Sequence, residues 1–315
     1  MNYNQVLIDT PNIFNRAFHK NNALGKEVNN CVPIFLSMIN KIQRRFSSMG
    51  HETNFYFLFD NDTSKVAIRK DIDPSYKSNR KSGDEDFYRL LDLVHLIILN
   101  YSKHLYAVQK QGAEADDLVF PLLENFEGRT LLISNDFDWS RGISEDVDWA
   151  KYEEDELVVV TKDLFKEIYG FSPSIESICL YKSFRGDKSD NIPAGVPNIK
   201  EEVLVKLVNS FSSLSDIKDA LSYLDYVSVT FRDRIVENYS RLLLNYKLVN
   251  HLGLHYQDIV SFIYSGDFKP KTLMTLYTSI GLDVKTIDPR LIQFFPKEEK
   301  VTAGKFFQFE KVPRA

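Results

Sequence analysis

The chain of 315 residues is poor in the residue types that build disulfide frameworks and zinc sites. Its two cysteines, Cys31 and Cys179, are far apart, form no CxxC pair and have no histidines at zinc spacing. No apolar run approaches the roughly 18–20 residues that span a bilayer. The first residues also lack the basic region and apolar core of a secretion signal. We therefore expect a reduced protein without a membrane span, located in the cytoplasm.

Several catalytic signatures are missing as well. There is no GxxxxGK[ST] loop, which disfavours ATP hydrolysis, and no pattern of a serine or cysteine nucleophile with a histidine base. The net charge of −5 argues mildly against nucleic-acid binding. The distribution of charge matters more than its sum, because a basic patch can coexist with an acidic site. The length predicts one large or two ordinary domains.

What the sequence does contain is a series of acidic residues directly after predicted strands. Buried strands are predicted at 5–8, 54–59, 104–108 and 130–133, and helices alternate with them, which indicates an α/β fold. If these strands are parallel neighbours, the acids converge on one edge of the sheet. The acids are Asp9, Asp60, Glu114, Asp116, Asp117, Asp136 and Asp138, with Asp187 and Asp190 in a later loop.

Clustered carboxylates repel one another, and hard divalent cations remove that penalty. A set of oxygen ligands without histidine or cysteine points to Mg²⁺ or Mn²⁺ rather than zinc. For any one of these acids, an ordinary role as turn former, N-cap or first-turn helix residue is the alternative.

Residues 65–81 form the most basic stretch, with a net charge of +4. Cations beside an aromatic ring suit a phosphate backbone and a stacked base. A solvated surface loop is the alternative reading. The residues concerned are Tyr76, Lys77, Arg80 and Lys81, and Ser82 is predicted to cap an amphipathic helix that follows.

Further along the chain, residues 145–160 predict a hairpin, and Thr161 and Gly170 bound a short helix. Residues 174–184 and the stretch from Glu201 predict two helices joined by a loop rich in proline and glycine. A tight loop between helices with exposed backbone amides can grip phosphates without reading bases. From 210 to 282 the pattern is helical throughout.

Six segments in order resemble the 5′ nucleases of the flap endonuclease and 5′–3′ exonuclease family, above all its bacteriophage members, including the phage RNase H type. The segments are LIDTPNIFNRAFH, YFLFD, SYKSNRK, GAEADDLV, LLISNDFDW and GDKSDNIPAGV. The resemblance implies a PIN-like core with a mostly parallel central sheet flanked by helices, a helical arch and a helix–three-turn–helix that holds duplex DNA. It predicts a nuclease core at 1–165 with the arch at about 76–103, a helical DNA-binding domain at 166–290 with the helix–three-turn–helix at about 174–210, and a tail at 291–315.

The resemblance also implies two Mg²⁺ ions, which Mn²⁺ can replace, in a two-metal hydrolysis of phosphodiester bonds. Asp9, Asp60, Glu114 and Asp116 would hold the first ion, with Asp117 beside it. The second ion would be served by Asp136, Asp138, Asp187 and Asp190. Lys77 and Arg80 match the basic pair that meets the scissile phosphate, and Tyr76 and Lys81 lie beside them.

The predicted hairpin loop departs from the family pattern. Ala194 is inserted before Gly195, and Asn198 and Lys200 stand where the family has glycines. Asparagine tolerates left-handed backbone, whereas lysine does so less readily. These changes put the K⁺ site that the family usually has there in question, and Lys200 is a candidate substitute for its charge.

The predicted function is a monomeric Mg²⁺-dependent nuclease that cuts 5′ flaps or ends of DNA and of RNA/DNA and removes RNA primers, in the host cytoplasm if the source is a phage. One alternative is a non-catalytic nucleic-acid-binding relative. Another is a phosphatase of the haloacid-dehalogenase type, suggested faintly by residues 60–64. Adjacent aromatics in the tail are candidates for docking to a sliding clamp or a single-strand-binding protein, or for packing on the protein itself.

Overall fold

The computed structural model describes residues 2–46, 53–61, 68–79 and 84–282. Its centre is a seven-stranded sheet in the order β6-β5-β4-β1-β2-β3-β7. The strands are Gln5–Asp9 (β1), Asn54–Leu58 (β2), Leu105–Val108 (β3), Thr130–Ile133 (β4), Val147–Glu153 (β5), Glu156–Val160 (β6) and Ile263–Ser265 (β7).

The five inner strands run parallel, and the two edge strands run antiparallel to their neighbours. The parallel strands are nearly continuous apolar runs, as expected where helices cover both faces. The chain order reverses between β1 and β4, since β2 and β3 lie on one side of β1 and β4 and β5 on the other. Such a reversal opens a crevice at the carboxyl ends of the strands.

Helices cover the sheet on both faces and continue beyond it. They are Thr10–Ala23 (α1), Cys31–Phe46 (α2), Ile68–Ile72 (α3), Glu85–Leu99 (α4), Val119–Leu123 (α5), Lys162–Tyr169 (α6), Ile175–Arg185 (α7), Glu201–Ser210 (α8), Leu214–Ala220 (α9), Val229–Glu237 (α10), Tyr239–Val249 (α11), Tyr256–Ile259 (α12) and Pro270–Ser279 (α13). None of the helices in the described ranges has both the length and the hydropathy that crossing a membrane requires.

Two apolar cores lie on opposite faces of the sheet. One contains the buried sides of α1, α2, α4 and α13. The other contains α5, the turns after β3 and β4, and most helices from α6 to α11. The predicted α/β class, the mostly parallel sheet, the hairpin of β5 and β6 and the helical region that follows are confirmed.

Three details differ from the sequence predictions. Asp84, not Ser82, is the N-cap of α4, since its carboxylate accepts the Asp86 N–H at 2.9 Å. Helix α4 packs into the core with β3, α1 and α13, so residues 85–99 form a layer of the fold rather than part of an arch. The apolar face of α4 is wide, and removing it from water by packing against the core lowers the free energy of the folded state.

The region from 210 to 282 is not helical throughout. Strand β7 pairs with β3, and the following α13 buries Leu273 and Tyr277 against the first core. Part of the segment predicted as the DNA-binding domain therefore belongs to the sheet and its covering layer.

Candidate metal centre

The carboxyl ends of β1 and β4 lie side by side at the point where the strand order reverses. Asp9 ends β1 and caps α1, and its carboxylate accepts the Asn12 N–H at 3.2 Å. Ser134 follows β4 and donates its hydroxyl to Asp9 Oδ2 at 2.6 Å. Asp136 comes two residues later and caps the next turn through the Asp138 N–H at 3.0 Å. The parallel pairing of β1 and β4 thus brings Asp9 and Asp136 to the same edge of the sheet.

The acidic turn after β3 is joined to the end of β2. Residues Ala115–Leu118 form a 3₁₀ turn, with Glu114 at its N-cap. Asp60 Oδ1 accepts the Ala115 N–H at 2.8 Å. The acids that follow β1, β2, β3 and β4 therefore occupy one edge, as the sequence predicts.

Asp117 does not fit its predicted place beside the metal. Its side chain is fully buried and forms a two-pronged ion pair with Arg69, at 2.7 and 2.8 Å. The same carboxylate accepts the N–H groups of Glu114 and Leu252, both at 3.1 Å. Four donors occupy its two oxygens, so Asp117 stabilises the fold and has no lone pair directed to an ion.

Two buried cations lie among the other acids. Arg141 donates to Asp116 Oδ2 at 2.6 Å and lies 3.7 Å from Asp138 Oδ2. Lys182 on α7 contacts Asp138 Oδ1 at 2.6 Å and Asp187 Oδ2 at 2.7 Å. Burial by itself would raise the pKa of Asp187, but Lys182 overcomes it and lowers that pKa to about 2.

At the ends of β1 and β4, in contrast, the pKa values of the carboxylates are raised rather than lowered. Burial and the neighbouring Asp60 raise the pKa of Asp9 well above its usual value, and Asp136 adds to the effect. Asp136 reaches solvent, yet the packed protein around it and the charge of Asp138 raise its pKa to about 7. Burial also raises the pKa of Glu114, although Lys77 opposes the shift. At Asp9 and Asp136, burial and the neighbouring acids therefore outweigh the groups that stabilise the charged form.

The donor chemistry at Asp9, Asp60, Glu114 and Asp136 fits a hard divalent cation, because only oxygen atoms are offered and their mutual repulsion is relieved by positive charge. Among the described residues, no three acidic, histidine or cysteine side chains already converge at coordinating distance. An ion would have to draw these side chains together. The predicted second set fits less well, because Asp138 and Asp187 already hold the ammonium of Lys182.

Tyr76 and Lys77 lie directly at this edge. The Tyr76 ring is 2% exposed, and its hydroxyl lies 3.1 Å from Asp190 Oδ2 and 3.3 Å from Glu114 Oε1. A buried ring cannot stack on a base, so the stacking role expected for Tyr76 does not fit this structure. Lys77 has a left-handed backbone, with φ of 54°, and its Nζ is 2.5 Å from Glu114 Oε2. Its N–H donates to the carbonyl of Asp190 at 2.8 Å, which ties this turn to the loop after α7.

The loop between α7 and α8 has the expected left-handed asparagine. Asn198 adopts φ of 59° and is exposed, and Lys200 is the exposed N-cap residue of α8. Gly195 is buried, and a Cβ at this position would collide with the Ser183 carbonyl and the Leu242 side chain. Packing against α11 therefore requires glycine here. Contacts of these residues with DNA, and the K⁺ question, stay predictions.

Sequence reasoning missed the buried cations. Arg69 was counted in the basic stretch, but it is 5% exposed and also donates to the backbone carbonyls of Leu248 and Asn250. Lys182 lies on the buried face of α7 with Cys179 and Ser183, and a lysine on such a face was a usable signal. Nothing in the sequence pattern distinguished Arg141. Arg80, Lys81, residues 62–64 of the phosphatase-like motif and the tail at 291–315 lie outside the described residues.

A family model described as "5′-3′ exonuclease, N-terminal resolvase-like domain" matches residues 4–170, which is more than half of the chain. The chain belongs to the 5′–3′ exonuclease family. The resemblance inferred from the six segments is thereby confirmed, and so is the class of enzyme, a phosphodiester hydrolase of the 5′ nuclease type.

One curated relative of this exonuclease-family chain is DNA polymerase I of Bacillus caldotenax. It is 30% identical over 222 residues, which make up 67% of this chain and 24% of that protein. The chain thus spans about a quarter of the length of that relative.

Two solved structures share the fold. Bacteriophage T5 5′-exonuclease with bound zinc ions has a TM-score of 0.62 and 21% identity, covering 89% of this chain and 98% of that chain. A bacteriophage T5 flap endonuclease in a pseudo-enzyme–product complex with DNA and metal ions has a TM-score of 0.58 and 18% identity, covering 91% and 96%. At these identities the likeness confirms the fold.

Proposed function

We propose that this chain is a Mg²⁺-dependent, structure-specific 5′ nuclease that cuts DNA at 5′ flaps and 5′ ends, with Mn²⁺ as an alternative ion. The observation that carries the proposal is the sheet edge that Asp9, Asp60, Glu114 and Asp136 share, where burial and neighbouring acids raise the pKa values of Asp9 and Asp136. Family membership supplies the reaction class, and this edge supplies the residues.

When bound, a divalent ion would supply Lewis-acid activation of a phosphate oxygen and of the attacking water. The chain itself contributes the carboxylates that hold the ion. It also contributes Lys77, whose ammonium lies at the rim of the same edge. Lys77 has a left-handed backbone, which is strained for a residue with a side chain and is typical of functional positions. We assign Lys77 to the scissile phosphate, where a fixed cation stabilises charge that grows in the transition state.

DNA and RNA/DNA with 5′ ends are the substrates we propose, and primer removal during DNA replication is the proposed cellular role. The relatives support this choice, since one is a DNA polymerase I and another is a flap endonuclease in complex with DNA. The loop from 186 to 200 and the exposed side chains of Asn198 and Lys200 are proposed to hold the duplex. Clamp and single-strand-binding-protein contacts stay predictions for the tail.

A labelled 5′-flap DNA incubated with the protein, with and without Mg²⁺, tests the proposal. We expect short 5′ products that disappear on addition of EDTA. Binding without cleavage in Mg²⁺ or Mn²⁺ would identify a non-catalytic relative, and release of inorganic phosphate alone would identify a phosphatase. Mapping the product lengths separates flap cutting from exonuclease action.

A further inference from the structure

Lys182 stands where the family pattern leads one to expect a metal ion. It lies on α7, is 5% exposed, and bridges Asp138 and Asp187 at 2.6 and 2.7 Å. Both aspartates belong to the set that the family resemblance assigns to the second ion. A primary ammonium with three donors that already contacts two carboxylates occupies the place between them.

The ammonium remains charged in this buried position. Burial disfavours the charge, but Asp138, Asp136 and Asp187 outweigh burial and raise the pKa of Lys182 above its usual value. A buried charge that loses its partners is costly, so an incoming ion would have to offset the loss of both contacts. Mg²⁺ also gives up its water reluctantly.

Arg141 strengthens this arrangement from the other side. Its guanidinium holds Asp116 at 2.6 Å, and two further N–H groups donate to the carbonyls of Val249 at 2.7 Å and Asp138 at 2.9 Å. These contacts fix the guanidinium and direct it 3.7 Å from Asp138 Oδ2. The carboxylate of Asp138 is therefore contacted by two protein cations.

We propose that Lys182, supported by Arg141, is a resident cation that takes the place of a second divalent ion, and that the chain binds one divalent ion, at Asp9, Asp60, Glu114 and Asp136. The inference rests on the proposed function, since it assumes that this edge binds the ion of a nuclease. It assigns Asp138 and Asp187 to the lysine rather than to a metal. A fixed ammonium then provides positive charge at the edge without exchange with solvent.

Counting bound Mn²⁺ on the whole chain tests this inference without measuring activity. Titration calorimetry gives the number and affinity of ions, and the loss of the free Mn²⁺ paramagnetic resonance signal gives an independent count. The variants are Lys182→Met, which removes the charge and keeps the length, and Lys182→Arg, which keeps the charge. Lys166→Met is the control, because Lys166 is exposed on α6.

We expect one ion for the wild type, Lys182→Arg and Lys166→Met, and two for Lys182→Met. Two ions in the wild type, or one in a folded Lys182→Met, would overturn the inference. No Mn²⁺ binding in any form would instead overturn the proposed function, so the two failures are distinguishable.

Asp138→Asn gives a second test that stands even if Lys182→Met does not fold. Because the Asp138 carboxylate holds lysine rather than the ion, Mn²⁺ affinity should stay close to that of the wild type. A loss of about tenfold or more, the size seen when groups around a metal are removed, would make Asp138 part of the ion site and refute the assignment.

Discussion

The acidic edge contains two kinds of carboxylate that look alike in sequence. Asp117 and Asp138 are buried against cations supplied by the chain, Arg69 for the first and Lys182 and Arg141 for the second. Asp9 and Asp136, at the ends of β1 and β4, lie near other acids, and burial together with those acids raises their pKa values. The difference separates carboxylates that stabilise the fold from carboxylates that are ready to bind an ion.

The largest effect that sharpens this comparison is expected for Asp136→Asn. Asparagine keeps the Oδ1 acceptor for the Asp138 N–H and removes only the charge. We expect flap cleavage in Mg²⁺ to fall by about a thousandfold or more, since the metal supplies several kcal/mol of transition-state stabilisation. The stability should be unchanged or higher, because a repelled charge is lost.

Asp155→Asn is the matched control for that variant. Asp155 lies in the turn between β5 and β6, is 74% exposed and pairs only at the surface with Arg16 and Lys20. It should cleave at the wild-type rate. Normal turnover by Asp136→Asn would show that Asp136 does not bind the ion. The distinction between carboxylates that stabilise the fold and carboxylates that bind an ion would then fail.

Arg69→Met tests the structural role of Asp117, whose carboxylate is paired with Arg69. Removing the guanidinium leaves Asp117 buried without its cation, which typically costs about 3–5 kcal/mol of unfolding free energy. Urea unfolding followed by circular dichroism measures this loss. Arg89→Met is the control, because Arg89 and Asp86 form an ion pair in which both side chains are half exposed, worth about 0–1 kcal/mol. Similar losses in the two variants would show that Asp117 is not a structural carboxylate.

Lys77→Met should act on chemistry rather than on the fold. We expect single-turnover cleavage to slow by about a hundredfold, while the dissociation constant for flap DNA changes much less. Lys103→Met, at an exposed position before β3, is the control. Equal losses in cleavage rate and in DNA affinity would show that Lys77 contributes to DNA binding and not specifically to the chemical step.

The smallest expected effect is a rise in melting temperature with Mg²⁺. An ion that relieves repulsion binds the folded chain selectively, and at ten times its dissociation constant it should raise the melting temperature by about 2 °C. Asp136→Asn should lose most of this rise, and Asp155→Asn should keep it. A rise of equal size in both would mean that Mg²⁺ acts elsewhere.

Sequence reasoning predicted the strands closely because each is a short apolar run that ends in a turn signal. For example, Thr130–Ile133 was placed without error. It also predicted that the acids after these runs would meet, which depends only on parallel pairing. Sequence reasoning missed β7. This strand has only three residues, which are too few to show an alternation of apolar and polar side chains. Sequence reasoning also read α4 as part of an arch, although its wide apolar face indicated burial.

By itself, the sequence determined the alternation of strands and helices, the acidic edge and the family, because local patterns and motif order carry that information. Tertiary structure alone decided which acids are balanced. Arg69, Arg141 and Lys182 reach Asp117, Asp116 and Asp138 from positions 25 to 48 residues away. Charge balance in a buried site depends on distances between groups that are remote in the chain, and no local pattern encodes those distances.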